Sequence, residues 1–298
     1  MKRAANWMAG LMVMGMALQA AATEGGGGAY PNGAEGFMAG ALPPPGQYLV
    51  NYAAYYGADS LKDNAGHTLP IDFDLHVFAD TVRFINVTPL TVLGGNWAQH
   101  IFVPLVSLDV KTPGGKYQNF GLGDIIVDPF IVGWHKPPFH WVVCMDTYIP
   151  VGKYHEGSQA NIGRNYWTFE PAAGVTYLNE GGQEASVKLM YDFNTRNNDS
   201  SAPNNAYTSG QEFHADFALA QHMGDWTFGA GGYWYQQTTD DKADGAKVDA
   251  SRGRALALGP QISYQCGHVN LALAWDLEFA VENRPQGDKV WFKLVLPL

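Results

Sequence analysis

The sequence predicts an all-β chain: a transmembrane antiparallel β-barrel of about 12 strands, led by an N-terminal segment that lies in the periplasm or in the lumen. Three observations carry this reading. From Val269 to Leu298 apolar and polar residues alternate over lengths beyond those of ordinary soluble strands. Short turns and long polar loops alternate along the rest of the chain, as periplasmic turns and extracellular loops do in such barrels. The chain also opens like a secretory signal peptide, yet holds no later apolar run long enough for a membrane helix.

Met1-Lys2-Arg3, the apolar run Trp7 to Leu18 and Ala20-Ala21-Ala22 supply the three parts of a signal peptide, with cleavage expected before Thr23. No cysteine lies near that site, which argues against a lipid anchor there. Residues 23–46 form the next unit. Gly25 to Gly28, Tyr30-Pro31-Asn32-Gly33 and Pro43 to Pro45 exclude a regular strand, because proline removes ladder donors and glycine disfavours regular structure. A free tail would be polar and charged, whereas this segment carries Tyr30, Phe37, Met38 and Leu42. It is expected to enter the lumen from the periplasmic side as a plug or gate, with Asn32 and Glu35 as its polar contacts and Phe37 and Met38 as its packing residues.

The barrel proper is residues 47–298. Strands are expected at Gln47 to Gly57, Leu69 to Ile85, Thr91 to Leu108, Gly121 to His135, Phe139 to Pro150, and Arg164 to Leu178. They continue at Glu184 to Thr195, Gln211 to His222, Trp226 to Gln237, Arg254 to Cys266, and in the closing pair after Val269. Turns are read at Asn86 to Leu90, Lys136 to Pro138, Asn179 to Gln183, Met223 to Asp225, and Gly267-His268. Loops are read at Ala58 to Thr68, Asp109 to Phe120, Val151 to Gly163, Arg196 to Gly210, and Thr238 to Gly253. Both ends of the chain then fall on the periplasmic side. The last strand, with Leu294, Leu296 and Leu298 on its apolar face, resembles a barrel-insertion signal read by the barrel-assembly machinery.

Ionised groups facing lipid are costly, so the polar set of each strand is expected to face inward. Parity places Asp72, Asp74, His76, Asp124, Asp128, Asp146, Glu170, Lys188, Asp192, His214, Asp216, Asp276, Glu278, Glu282 and Lys293 in the lumen. Such a set either lines an acidic solute path or forms a network that rigidifies a narrow barrel, and both readings stand.

Composition narrows the partners. Aromatics at 13%, 35 glycines and only 15% charged residues suit a barrel with aromatic girdles against outer-membrane lipid and lipopolysaccharide. A net charge of −10 with no basic cluster argues against nucleic acid. Cys144 and Cys266 fall on separate strands and are expected to be unpaired. No two histidines have metal-site spacing, and Asp72-x-Asp74-x-His76 on one strand reads as structural pairing, so neither a metal nor a cofactor is expected. Asp240 to Gly245 departs from a calcium loop, with Lys242 at its third position and Ser251 at its twelfth. Neither Gly-x-Ser-x-Gly nor His-Glu-x-x-His occurs, and no catalytic residue is assigned. The rival readings are an outer-membrane enzyme acting on lipid and a soluble periplasmic β-sandwich that binds a ligand.

Four stretches carry a family resemblance: Glu24 to Gln47, Gly121 to Lys136, Tyr148 to Tyr154, and Asn161 to Asn179. Together, and in this order, they resemble the phenol meta-degradation pathway (MetA-pathway) family of outer-membrane transporters. The resemblance implies a bacterial outer-membrane channel for passive uptake of small, hydrophobic or aromatic molecules. It does not name the solute.

Overall fold

Strong alternation makes strands, and a barrel needs each to pair on both sides, because an open edge would leave backbone N–H and C=O groups bare in lipid. The computed structural model describes residues 23–298, so the signal peptide expected at residues 1–22 lies outside them. A single 3-10 turn at Glu24–Gly26 and an irregular stretch to residue 45 precede the barrel. Its first half is β1 (Gly46–Leu61), β2 (Asp74–Val92), β3 (Gly95–Thr112), β4 (Gly115–Leu122), β5 (Ile125–Lys136), β6 (Phe139–Ile149), β7 (Thr168–Leu178) and β8 (Gln183–Asn194). Two short strands follow, β9 (Arg196–Asn197) and β10 (Tyr207–Thr208), then β11 (Glu212–Met223) and β12 (Trp226–Gln237). The chain ends with β13 (Lys242–Ala243), β14 (Ala246–Lys247), β15 (Arg254–Cys266), β16 (Val269–Glu282) and β17 (Pro285–Pro297).

Each barrel strand pairs antiparallel with its neighbours, and β1 pairs with both β2 and β17, which closes the ring. β4 and β5 are two halves of one crossing: β3 pairs with β5 over its first half and with β4 over its second. The result is a closed barrel of 12 crossings. β9, β10, β13 and β14 form a separate 4-stranded sheet that ties together the two long loops before β11 and β15. Leu189, Leu219, Phe228, Leu258, Leu273, Leu277 and Phe292 point outward and are exposed, as a lipid-facing belt requires. Stacked Trp134–Trp141 and the Trp226–Tyr264 pair flank the short turns, while Trp167–Phe169 and Phe213–Trp234 sit toward the other end.

Four local readings differ. The turn expected at Asn86 to Leu90 falls instead at Leu93-Gly94, both left-handed (φ 50° and 79°), the geometry of a two-residue hairpin turn. Pro89 is absorbed by a register shift between Val87 and Thr91. The loop expected at Asp109 to Phe120 is a projecting β3–β4 hairpin turning at Pro113-Gly114, because alternation continues through Leu108, Val110 and Thr112. In β16 Ala280 takes φ 52° and the register shifts opposite β15. That bulge turns Val281 inward, where it is 2% exposed, and carries Glu282 out of the expected lumen set to pair with Arg254.

The fourth difference reverses a face. Asp72, Asp74 and His76 do not line the lumen. Asp74 and His76 have side chains 48% and 47% exposed and bond each other, and Asp72 pairs with Lys111. Their partners by parity, Ile71, Phe73, Leu75 and Val77, face inward. The reason is position: this stretch leads into β2 and forms its loop-side end, where the outer face meets water and can hold charge at little cost.

Candidate functional site: a filled lumen with one apolar wall

Glycine and proline keep residues 23–45 thin and irregular, so the segment threads the barrel while its polar groups bond the wall. Its first turn sits among the long loops. There the Glu24 carboxylate accepts hydrogen bonds from the Tyr154 hydroxyl at 2.9 Å and from Asn197 Nδ2 at 2.7 Å. Its far end leads into β1 at the opposite rim. The segment therefore spans the depth of the lumen, with Glu24 among the long loops and Pro45 at the short-turn rim where β1 begins.

Three wall stations hold it. At the first, Asp216 accepts from the Tyr30 hydroxyl and, at 3.0 Å each, from the backbone N–H groups of Gly33 and Glu35. At the second, Asn32 Oδ1 accepts from His214 Nδ1 at 2.6 Å, and Lys289 Nζ donates to the Asn32 carbonyl at 2.8 Å. At the third, Glu35 faces Arg83 at 3.4 Å, Lys293 at 3.5 Å and Lys188 at 4.0 Å. Nearer the short-turn rim, the Met38 N–H donates to Glu184 at 2.6 Å and the Gly40 N–H to Thr176 at 2.9 Å. Gly40 must be glycine, since a Cβ there would lie 2.4 Å from the Thr176 backbone nitrogen. Phe37 lies against Gly229, where an added Cβ would meet its ring at 2.8 Å.

The other residues expected in the lumen divide by what they touch. Asp146 accepts from His100 Nε2 at 2.7 Å and faces Lys188 at 4.0 Å. Glu170 accepts from the Tyr148 hydroxyl, and Glu278 from Tyr56, Tyr233 and the Gly287 N–H. Asp128 is buried but serves the wall, accepting from Phe130 and Met145 N–H groups where β5 and β6 bulge apart. Asp124, between β4 and β5, accepts from the Gly152 and Arg164 N–H groups and so clamps the β6–β7 loop. Asp276 is 0% exposed and has no hydrogen-bond partner among the described residues, lying beside Gly33. Cys144 and Cys266 are both free thiols. The carboxylates Asp146 and Glu35 therefore belong to one paired network, joined through Lys188 and Arg83.

Arg83, His100, Tyr233 and Glu212 complete the site and were not singled out from the sequence. Arg83 shares the inward face of β2 with Thr81 and Ile85, so inward parity once corrected would have found it. Arg83 Nη2 donates to His100 Nδ1 at 2.8 Å, which joins it to Asp146.

Beside this segment lies a cavity of about 1380 Å³. One wall is apolar, with Ile71, Phe73, Leu75 and Val77 beside Val106, Leu108 and Val110 of the paired strand β3. The polar lining comes from the segment Glu24 to Glu35 and from Tyr56, Arg284 and Lys289, of which Tyr56 is the register neighbour of Val77. Such a space can solvate an apolar body on one side and offer hydrogen bonds to its polar end on the other.

The fold matches that of the COG4313 outer membrane channel from Pseudomonas putida F1, at TM-score 0.78 and 16% identity, covering 88% of this chain and 98% of that one. A looser likeness is to the NanC porin, at TM-score 0.44 and 11% identity, covering 84% of this chain and 98% of that one. No curated protein sequence matches the chain. The architecture is that of a bacterial outer-membrane barrel. Residues 58–294 match one family along nearly the whole barrel, and the chain belongs to that family, described as "Putative MetA-pathway of phenol degradation".

Proposed function

We propose that the protein is a passive outer-membrane channel for small hydrophobic or aromatic molecules, with residues 23–45 as its plug. The observation that carries this is the apolar inner wall: a lumen for hydrated solutes gains nothing from exposing Leu75, Val77, Leu108 and Val110 to its interior. The MetA-pathway description of the family agrees with an aromatic solute. On this reading, outer-membrane lipid and lipopolysaccharide cover the outer belt, and the barrel-assembly machinery inserts the chain through β17.

The solute would leave water for the apolar wall, present its polar end to Tyr56 or Lys289, and pass when the plug shifts. No energy coupling is needed, because an aromatic solute consumed inside the cell flows down its gradient. The test is uptake of a panel of phenols, benzoates and sugars by cells with and without the protein, repeated with Val77→Asn and Leu108→Asn. Aromatic uptake that rises with the protein and falls several-fold in both variants supports the proposal. Equal uptake of sugars and aromatics, unaffected by the variants, overturns it.

A further inference from the structure

On the wall away from the apolar cavity, β8 and β11 bring three ligand-capable side chains to one point. Asp192 lies directly opposite Glu212 in the strand register, and His214 follows two residues later on the same inward face. His214 Nε2 is 3.1 Å from Asp192 Oδ2 and 3.5 Å from Glu212 Oε2, and one ligand atom from each residue falls within 4.8 Å of the other two. All three side chains are 0% exposed.

The cluster lacks what would balance it. Among the described residues His214 is the only basic side chain within ion-pair reach of either carboxylate, and it is a cation only when protonated. Arg284, stacked on the Tyr235 ring, acts on Glu212 only at longer range. Both oxygens of Glu212, together with Asp192 Oδ1, are buried with no hydrogen-bond partner. Glu170 on β7 borders Asp192 and adds another buried, unpartnered oxygen, Oε1. Buried carboxylates with bare oxygens are costly unless a cation meets them.

We propose that Asp192, Glu212 and His214 form a binding site for one divalent transition-metal ion of the zinc type. The ring is oriented for it: Nδ1 of His214 is held by Asn32 Oδ1, so Nε2 faces the two carboxylates and, on giving up its proton, offers a lone pair to the ion. Separations of 3.1 and 3.5 Å match the roughly 3.3 Å expected between ligand atoms on a tetrahedral ion with bonds of about 2.0 Å. A mixed imidazole and carboxylate set favours zinc over magnesium, which prefers oxygen alone. Because Asn32 belongs to residues 23–45, the ion also strengthens the hold of the wall on that segment.

A second cluster, His100, Asp128 and Asp146, makes the contrast. There Asp128 takes two backbone N–H bonds, Arg83 occupies His100 Nδ1, and Lys188 faces Asp146, so the charge is already met.

The test uses full-length folded protein in detergent, stripped with chelator and titrated with Zn2+ alone by calorimetry and metal analysis. All samples carry His140→Gln, to remove the exposed His135–His140 pair as a surface zinc site. One equivalent should bind, excess Mg2+ should not displace it, and the temperature of heat-modified gel migration should rise. Glu212→Gln and His214→Gln should each weaken binding at least tenfold and abolish the rise. If His214→Gln does not fold, Glu212→Gln, which keeps the shape and removes the charge, decides alone. No stoichiometric binding, or equal affinity in a folded Glu212→Gln variant, overturns the proposal.

Discussion

Glu35→Gln is the sharpest single perturbation of the plug, because one carboxylate there answers three cations. Arg83, Lys293 and Lys188 stand 3.4, 3.5 and 4.0 Å from it, with side chains 15%, 19% and 8% exposed. Removing one partner from a buried pair costs about 3–5 kcal/mol. The lumen admits water beside this site, and the Glu35 N–H keeps its bond to Asp216, so a lower figure of about 2–4 kcal/mol applies to docking of the segment. That corresponds to a roughly 30- to 700-fold shift toward the undocked state. The barrel itself should be intact, since no strand pairing changes. Planar-bilayer recording should show longer or larger openings and a turn toward anion preference, because three cations lose their counter-charge, while Glu35→Asp should lie between. Unchanged conductance and ion preference in Glu35→Gln would refute the claim that this contact holds the plug.

Leu273→Arg, outward and 48% exposed, should cost about 2–4 kcal/mol in urea refolding, whereas Ala272→Glu, inward and opposite Lys293, should cost less. Deleting Leu294 to Leu298 removes the pairing of β17 with the start of β1, so surface levels should collapse; normal levels would exclude a role for this strand in closure. In the loop sheet, burial pushes the Asp241 carboxyl up to about 6, against the hydrogen bonds from Tyr207, Gly210 and Gln237 that lower it. A raised folded-state pKa favours the fold below that value and loses the benefit as pH rises through it. Corrected hydrogen-exchange protection of β13 and β14 should therefore be greater at pH 5 than at pH 7.5, and Asp241→Asn should remove the difference.

The strands were legible because alternation is a backbone property: the closing pair β16 and β17, the length of β8 and most turns follow from it. Which face looks inward was legible only where lipid forbids charge. At Leu273 and Asp276 that rule holds, but Asp74 and His76 stand above the lipid, where water accepts charge on the outer face and the lumen is free to be apolar. The bulge at Ala280 left no mark in the residue pattern, since alanine is an ordinary strand residue and the positive φ comes from register with β15. That residues 23–45 pack inside the barrel could be suspected from Tyr30, Phe37 and Met38 among glycines. That their first turn reaches the long loops could not, because Glu24 meets Tyr154 and Asn197 across more than a hundred residues of sequence. The Glu212 and His214 pair is visible as two polar residues on one face of β11, yet only pairing with β8 brings Asp192 to them.

The most direct measurement is conductance and solute preference of a barrel lacking Gly25 to Pro45, compared with the intact protein in the same bilayers and liposomes. The deletion spares β1, which begins at Gly46, so heat-modifiable folding should persist. The account predicts larger single-channel conductance and entry of sugars as readily as aromatic solutes, because the polar side of the cavity and the obstruction leave together. Conductance and preference identical to the intact protein would contradict it.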